Sequence, residues 1–264
     1  MPVTKTGMGY SDKTPEKEFD FAYLAKLVAS KVRGLEIYSG KKLPFYYIDT
    51  HAGNGYNHEI GCIGSPIVVL KAIQEAGIHT FQAILIDKNK SNCHTLRANF
   101  INDPRITVRK NDCRHVLSAI GPSIQGYGIM VVDPNGDPYF DMLADFFKNE
   151  GTSKIDVCIR LGATNWKRVI TVHNRSDLFD GIHNIDKNYW YLKRPAIGDP
   201  FQWTTIFGTN NPGLKPAQNK GFISIETDEG QCVLNVLNHT RNTPVNDYKA
   251  GQLPIDVFFR RSGS

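Results

Sequence analysis

Apolar runs and amphipathic stretches alternate along the first 162 residues of this chain. From Lys17 to Ile37, Phe21, Leu24, Leu27, Val28, Val32 and Leu35 recur at three- and four-residue steps, which predicts a helix with one buried face. The short apolar run Phe45–Ile48 ends in Asp49, as a strand buried on both faces would. Ser65-Pro66 then opens a helix through Ala76, with Ser65 as N-cap and Pro66 in the first turn. The rhythm repeats. Strands are expected at Ala83–Asp87, Arg105–Arg109, Gly128–Asp133 and residues 155–161, and helices at Ser91–Phe100, Asp112–Ile120 and residues 139–148. This alternation predicts the α/β class, a doubly wound and mostly parallel sheet. After Ala163 the pattern loosens. Residues 175–200 read as irregular, Phe201–Phe207 and Gly221–Glu226 as strands, and Asp228–Asn238 as a helix. The expected organisation is a mobile arm (1–16), one domain (17–240) carrying an irregular C-terminal elaboration, and a tail (241–264).

Right-handed connections bring the C-terminal ends of parallel strands to one edge, where open α/β sheets bind ligands. Asp49, Asp87, Asp112 and Asp133 all fall on that edge. Asp49 leads straight into Thr50-His51-Ala52-Gly53-Asn54-Gly55, and the two glycines admit positive φ and a close ligand. The loop has neither the GxxxxGK[ST] nor the GxGxxG pattern, and a carboxylate at the strand tip opposes a phosphate. It suits a cationic, phosphate-free nucleoside cofactor, S-adenosyl-L-methionine. Asp49 then anchors the loop and approaches the cofactor's amino group, or only caps local N–H groups. His51, Ala52, Gly53 and Gly55 would line the cofactor, with His51 as a packed histidine rather than a base. Asp87, followed by Lys88, accepts the ribose hydroxyls or forms a surface Asp–Lys turn. Asp112 and Cys113 meet the adenine, and Asp112 also suits a helix N-cap.

Asp133-Pro134-Asn135-Gly136 is the chemically sharper segment. An exocyclic base amine is a poor nucleophile because its lone pair is delocalised into the ring. Asp133 and a backbone carbonyl held by Pro134 can accept its hydrogens and favour a pyramidal nitrogen, with Asn135 as a further polar group. The same four residues are also strong turn formers.

These segments resemble a Rossmann-like class I S-adenosylmethionine-dependent methyltransferase. More narrowly, the chain resembles the three-Cys-motif partner (TcmP) family of bacteria and their mobile elements. The resemblance is carried by Tyr47–Gly55, Gly64-Ser65-Pro66, Ile84–Asp87, Val132–Gly136, Ile159–Arg168, the segment from Trp203 to Asn210 and Gly221-Phe222, and it covers most of residues 20–240. It implies S-adenosylmethionine binding and leaves the substrate undefined. Two places depart from the methyltransferase pattern. His51 and Asn54 stand where many relatives carry Phe and Pro. Asn135 and Gly136 stand where base-amino methyltransferases carry Pro and an aromatic that stacks on the flipped base. Tyr139, Phe140 or Tyr56 would have to supply that ring, which bears on adenine N6 chemistry and leaves cofactor binding untouched.

Composition narrows the rest. The chain has 264 residues, 41% of them hydrophobic, enough for a sizeable core, and a net charge of +5 that is compatible with a nucleic-acid partner. Five scattered cysteines without CxxC spacing read as reduced thiols, neither a disulfide frame nor a metal site. No run of 18 apolar residues and no signal-peptide core occur, so a cytoplasmic protein without a membrane association is expected. Arg160, Lys167, Arg168 and Arg175 surround Trp166, and Lys187, Lys193 and Arg194 surround Tyr189, Trp190 and Tyr191. Such mixtures suit a nucleic-acid backbone and an exposed base, or are a solvated face over core aromatics. Tyr56, Tyr139, Lys167 and Arg168 are the candidate substrate contacts, and residues 175–220 a candidate recognition insert. The leading expectation is methylation of an amino group on a DNA or RNA base. A small-molecule or modified-nucleotide methyltransferase is the alternative, as is a non-catalytic cofactor-binding module for a partner protein encoded nearby.

Overall fold

The chain lays its first five long strands side by side and parallel. In the computed structural model, which describes residues 14–57, 61–134, 136–162, 178–194 and 203–238, these are β1 (Phe45–Asp49), β4 (Gln82–Asp87), β5 (Ile106–Lys110), β6 (Tyr127–Val132) and β7 (Ile155–Gly162). Three more strands, β8 (Tyr189–Lys193), β9 (Trp203–Thr209) and β10 (Phe222–Ser224), complete an eight-stranded sheet of order β10-β8-β9-β7-β6-β1-β4-β5. The β7–β9, β9–β8 and β8–β10 pairs are antiparallel, so only β9 and β10 run against the rest. A separate hairpin, β2 (Tyr56–Asn57) with β3 (Cys62–Ile63), follows the loop after β1.

The order of connections sets the site. From β1 the chain steps outward to β4 and β5, then crosses back to β6 and β7 on the other side of β1. The crevice at that reversal opens above the C-terminal ends of β1 and β6, the usual place for a ligand in such sheets. Helices cover both faces. Helices α1 (Thr14–Ser39), α2 (Ser65–Glu75) and α3 (Lys90–Asn99) pack Phe21, Leu24, Val28, Val69, Ile73 and Leu96 on Phe45, Tyr47, Leu85 and Val131. Helices α4 (Cys113–Ile120), α5 (Phe140–Phe147), α6 (Leu178–His183) and α7 (Asp228–Asn238) cover Ile48, Ile86, Met130 and Val132. Alternate strand residues thus feed opposite cores, which is why the strands read as near-continuous apolar runs.

Several expectations need correction. Helix α1 begins at Thr14, so residues 14–16 are helical rather than part of an arm, with Glu16 in the first turn where the helix dipole favours an acid. The N-cap of α2 is Gly64, not Ser65. Gly64 fits there because a Cβ would stand 3.3 Å from the Gly55 carbonyl carbon, and the Ser65 hydroxyl is engaged elsewhere. Residues 175–200 are not wholly irregular, since they hold α6 and the interior strand β8. The aromatic cluster at 189–191 is largely core: Trp190 and Tyr191 are buried on opposite faces. Its cations are inward or paired, Lys187 buried against the Phe147 ring, Lys193 on Asp20 and Arg194 on Glu229. Arg160 likewise is buried, donating to Thr205 Oγ1 at 3.0 Å. Charged residues that flank aromatic ones in sequence here mark a strand whose ends are tied by ion pairs. Tail residues 241–264 and the segment 163–177 lie outside the described residues.

Candidate active site

Strand β1 ends in a carboxylate with no exposure to solvent. Tyr47 and Asp49 share a face of β1, two residues apart, and the Tyr47 hydroxyl donates to Asp49 Oδ2 at 2.7 Å. The Ser65 hydroxyl donates to the same oxygen at 2.7 Å, and the His51 N–H donates to Oδ1 at 3.1 Å. Burial nevertheless pushes the Asp49 carboxyl up to about 6. Asp49 therefore ties strand, loop and helix start together, which is its anchoring role. The backbone completes the stitching: Thr50 N–H donates to Val131 O of β6 at 3.0 Å, and Ala52 N–H to Ile86 O of β4 at 2.9 Å. Gly53 and Gly55 hold φ of 61° and 82°, which side-chain-bearing residues rarely adopt. His51 is lowered to about 4 by burial, with Nδ1 2.8 Å from Thr50 Oγ1, so it is a neutral packed ring at neutral pH.

The tip of β4 joins this loop. Asp87 Oδ2 accepts the Gly53 N–H at 2.9 Å, and Oδ1 accepts from Asn89 N and Asn92 Nδ2. Partial burial raises its carboxyl above the usual range. Asp87 is thus part of the glycine loop's own scaffold, while Lys88 beside it reaches across to Asp112 at 2.9 Å. Asp112 is the N-cap of α4 and accepts the Arg114 N–H at 2.9 Å. The Arg114 guanidinium grips it from the side and, with Lys88, holds its carboxyl far below the ordinary value. Arg114 also lies over the Tyr139 ring, 4.9 Å from its centroid. Tyr139 is the one non-glycine residue with positive φ among those described, 54°, a conformation uncommon for an aromatic. The chain of contacts Lys88–Asp112–Arg114–Tyr139 therefore links the ends of β4 and β5 to the loop that leaves β6. Cys113 is buried beneath it.

Asp133 follows β6 directly. Its Oδ2 accepts from Lys17 Nζ of α1 at 2.8 Å, a partner that sequence reasoning missed. Lys17 Nζ also stands 3.4 Å from Glu18 Oε1. Burial opposes the Lys17 charge, yet Asp133 and Glu18 more than offset it and raise the ammonium above its ordinary range. Burial also pushes the Glu18 carboxyl up to about 7. The structure so brings together Asp49, His51, Ala52, Gly53, Gly55, Asp87, Lys88, Asp112, Cys113 and Tyr139 on one edge, with Asp133 and Pro134 across the crevice. Tyr56 sits just past the loop in β2, its N–H on Asn54 Oδ1 at 2.9 Å. Asn135, Lys167 and Arg168 lie outside the described residues.

The strand order and directions decide the fold. It is a Rossmann-like, doubly wound α/β fold. No protein-family model matches this chain, and no curated protein sequence does. Among solved structures it is similar to the putative methyltransferase yhhF from Escherichia coli, at 15% identity over 80% of this chain and 92% of that one, TM-score 0.43. An rRNA methylase from Streptococcus thermophilus is similar at 7% identity over 77% of this chain and 100% of that one, TM-score 0.45. Protein LPL1258 from Legionella pneumophila is similar at 16% identity over 82% and 91%, TM-score 0.45. Likenesses this distant carry nothing on activity. Among the described residues, no helix is long and apolar enough to cross a membrane.

Proposed function

We propose that this protein is an S-adenosylmethionine-dependent methyltransferase that modifies an amino nitrogen of a nucleic-acid base. The narrower resemblance to the three-Cys-motif partner family belongs to the same reading. One observation carries it. Acids at successive strand ends surround a stitched glycine loop, and a further acid, Asp133, faces them across the point where the strand order reverses. The donor set also fits a cationic cofactor: Asp133 stands close enough to Asp49 and Glu18 to push both carboxyls upward, and Lys17 is the ammonium set among them. A pyrophosphate would meet like charge there.

Bound at this edge, the cofactor would supply a methyl group on positively charged sulfur. The protein's own residues do the rest. Asp49 fixes the loop, and Asp87 presents a carboxylate for the ribose hydroxyls. Asp112, with Cys113 behind it, offers an acceptor on the adenine side, while Lys88 and Arg114 hold it in place. Asp133 and the Pro134 carbonyl accept the hydrogens of the acceptor amine and turn its lone pair toward the methyl carbon. Lys17 orients the Asp133 carboxylate through its 2.8 Å contact. Tyr56 and Tyr139 are the rings assigned to the flipped base, and Asn135, Lys167 and Arg168 the further polar contacts.

A polyanionic substrate is favoured by the open edge of the sheet. A cavity of about 570 Å³ between β5 and α4 is lined by Arg97, Arg109, Lys110 and His115 with no carboxylate. Such a groove suits a phosphate backbone. Mass spectrometry of nucleosides from cells with and without the protein, and with Asp133→Ala, tests the reading. A methylated nucleoside present only with the wild-type protein is expected. An unchanged profile would sink it.

A further inference from the structure

Glu18 occupies a position that a helix of this kind normally gives to an apolar side chain. It stands three and seven residues before Phe21 and Ala25, on the stripe of α1 that faces the sheet, and both of those residues are fully buried. Its side chain is 8% exposed. Asp20, its neighbour, shows how this part of the fold treats a buried acid. Asp20 Oδ1 accepts from Lys193 Nζ at 2.5 Å and Oδ2 from Thr205 Oγ1 at 3.0 Å, with the Arg160 guanidinium 3.7 Å away. Both oxygens are satisfied.

Glu18 is treated differently. Oε1 lies 3.4 Å from Lys17 Nζ, but that ammonium is turned to Asp133 at the shorter distance of 2.8 Å. Oε2 is buried and accepts nothing. It is the only such side-chain nitrogen or oxygen among the described residues. A buried acceptor left unpaired is destabilising, and more so when it is charged. A fold that satisfies Asp20 so fully and leaves Glu18 Oε2 bare has kept a receptor for something else. Its surroundings say what kind. Asp133 and Asp49 both push the Glu18 carboxyl upward electrostatically, and Lys17 is the cation set against the three acids. Three carboxylates share one ammonium, and among the described residues no N–H reaches Glu18 Oε2.

We propose that the Glu18 carboxylate receives the primary ammonium of the cofactor's amino-acid moiety. The inference rests on the cofactor reading above. A primary ammonium carries both a full positive charge and three N–H donors, which is what an unpaired buried carboxylate oxygen requires. A sulfonium has charge but no hydrogen to donate. A base amine has hydrogens but no charge, and Asp133 is there to accept them. Glu18 is thus a cofactor-binding residue on the first turns of α1, far in sequence from the glycine loop, and Lys17 is the internal ammonium that balances Asp133 on the other side.

Titration calorimetry with two ligands tests this. S-adenosylhomocysteine carries the ammonium and no sulfonium, whereas 5′-methylthioadenosine keeps the nucleoside and lacks the amino-acid arm. Glu18→Gln preserves side-chain shape and removes the charge. It should weaken S-adenosylhomocysteine by about tenfold or more and leave 5′-methylthioadenosine within about twofold. Glu18→Asp keeps the charge on a shorter arm and should lose affinity for S-adenosylhomocysteine alone. Circular dichroism establishes that each variant is folded. Unchanged S-adenosylhomocysteine affinity in Glu18→Gln, or equal losses for both ligands, would overturn the assignment while leaving the cofactor reading standing. Wild-type protein that binds neither ligand would overturn both.

Discussion

Lys17 and Asp133 are 116 residues apart and meet at 2.8 Å, so a helix that precedes the first strand reaches the edge where chemistry is proposed. Beside them, Glu18 has a pH signature of its own. Burial raises its carboxyl from 4.5 to about 7, so the folded state binds a proton more tightly than the unfolded chain does. Its contribution to stability is complete below pH 4.5 and is lost as pH rises through about 7. In Glu18→Gln that loss cannot occur. The variant should therefore gain thermal stability relative to wild type as pH climbs from 4.5 to 7, and hold the gap above it. Melting curves across pH 4–8 read this directly, and a gap that stays constant with pH would contradict it. At this scale the sequence was partly legible. Asp49, Asp87 and Asp133 stood out because each ends an apolar run. Glu18 did not, although its spacing to Phe21 and Ala25 was visible, because a charged residue near a helix start reads first as solvated.

Elements were legible where one period ran unbroken. The five parallel strands and the helices between them follow the sequence pattern to within a few residues, and Asp112 caps α4 as its position suggested. Strand β8 was not legible. Tyr189-Trp190-Tyr191-Leu192-Lys193 is apolar on both faces, but cations at 187, 193 and 194 disguise it, and only the fold reveals that each has an internal partner. Its pairing partner shows how closely it is fitted. A Cβ on Gly208 of β9 would stand 2.5 Å from the Trp190 ring, which is itself buried with its Nε1–H on Lys187 O. Gly208→Ala should cost about 1–3 kcal/mol by forcing that ring aside. Urea denaturation measures it, and an unchanged midpoint would mean the indole has room to move.

Across the whole molecule, the two regions proposed to face ligands differ in charge. Carboxylates gather above β1 and β6, while the outer edge at β5 presents Arg97, Arg109, Lys110 and His115. Arg97 is partly engaged through Val108 O, whereas Arg109 and Lys110 are exposed. If this edge carries a nucleic-acid backbone, the double variant Arg109→Ala/Lys110→Ala should weaken binding uniformly across sequences. The slope of log affinity against log salt should become shallower by about two. Fluorescence anisotropy at several salt concentrations provides the measurement, and an unaltered slope would remove this edge from the binding surface. Net charge alone hinted at a polyanion, but not where, because Arg97 lies on α3, Arg109 and Lys110 on β5 and His115 on α4.

The loop after β1 is fastened to β6 through Thr50 and to β4 through Ala52. It therefore works as a clasp across the central seam of the sheet, not as a flap hung from one strand. Whatever tightens the loop also draws β4 and β6 against β1. Equally, a slackening deep in either neighbour, in residues that touch no ligand, is passed to the loop through Thr50 on one side and through Ala52 and Gly53 on the other.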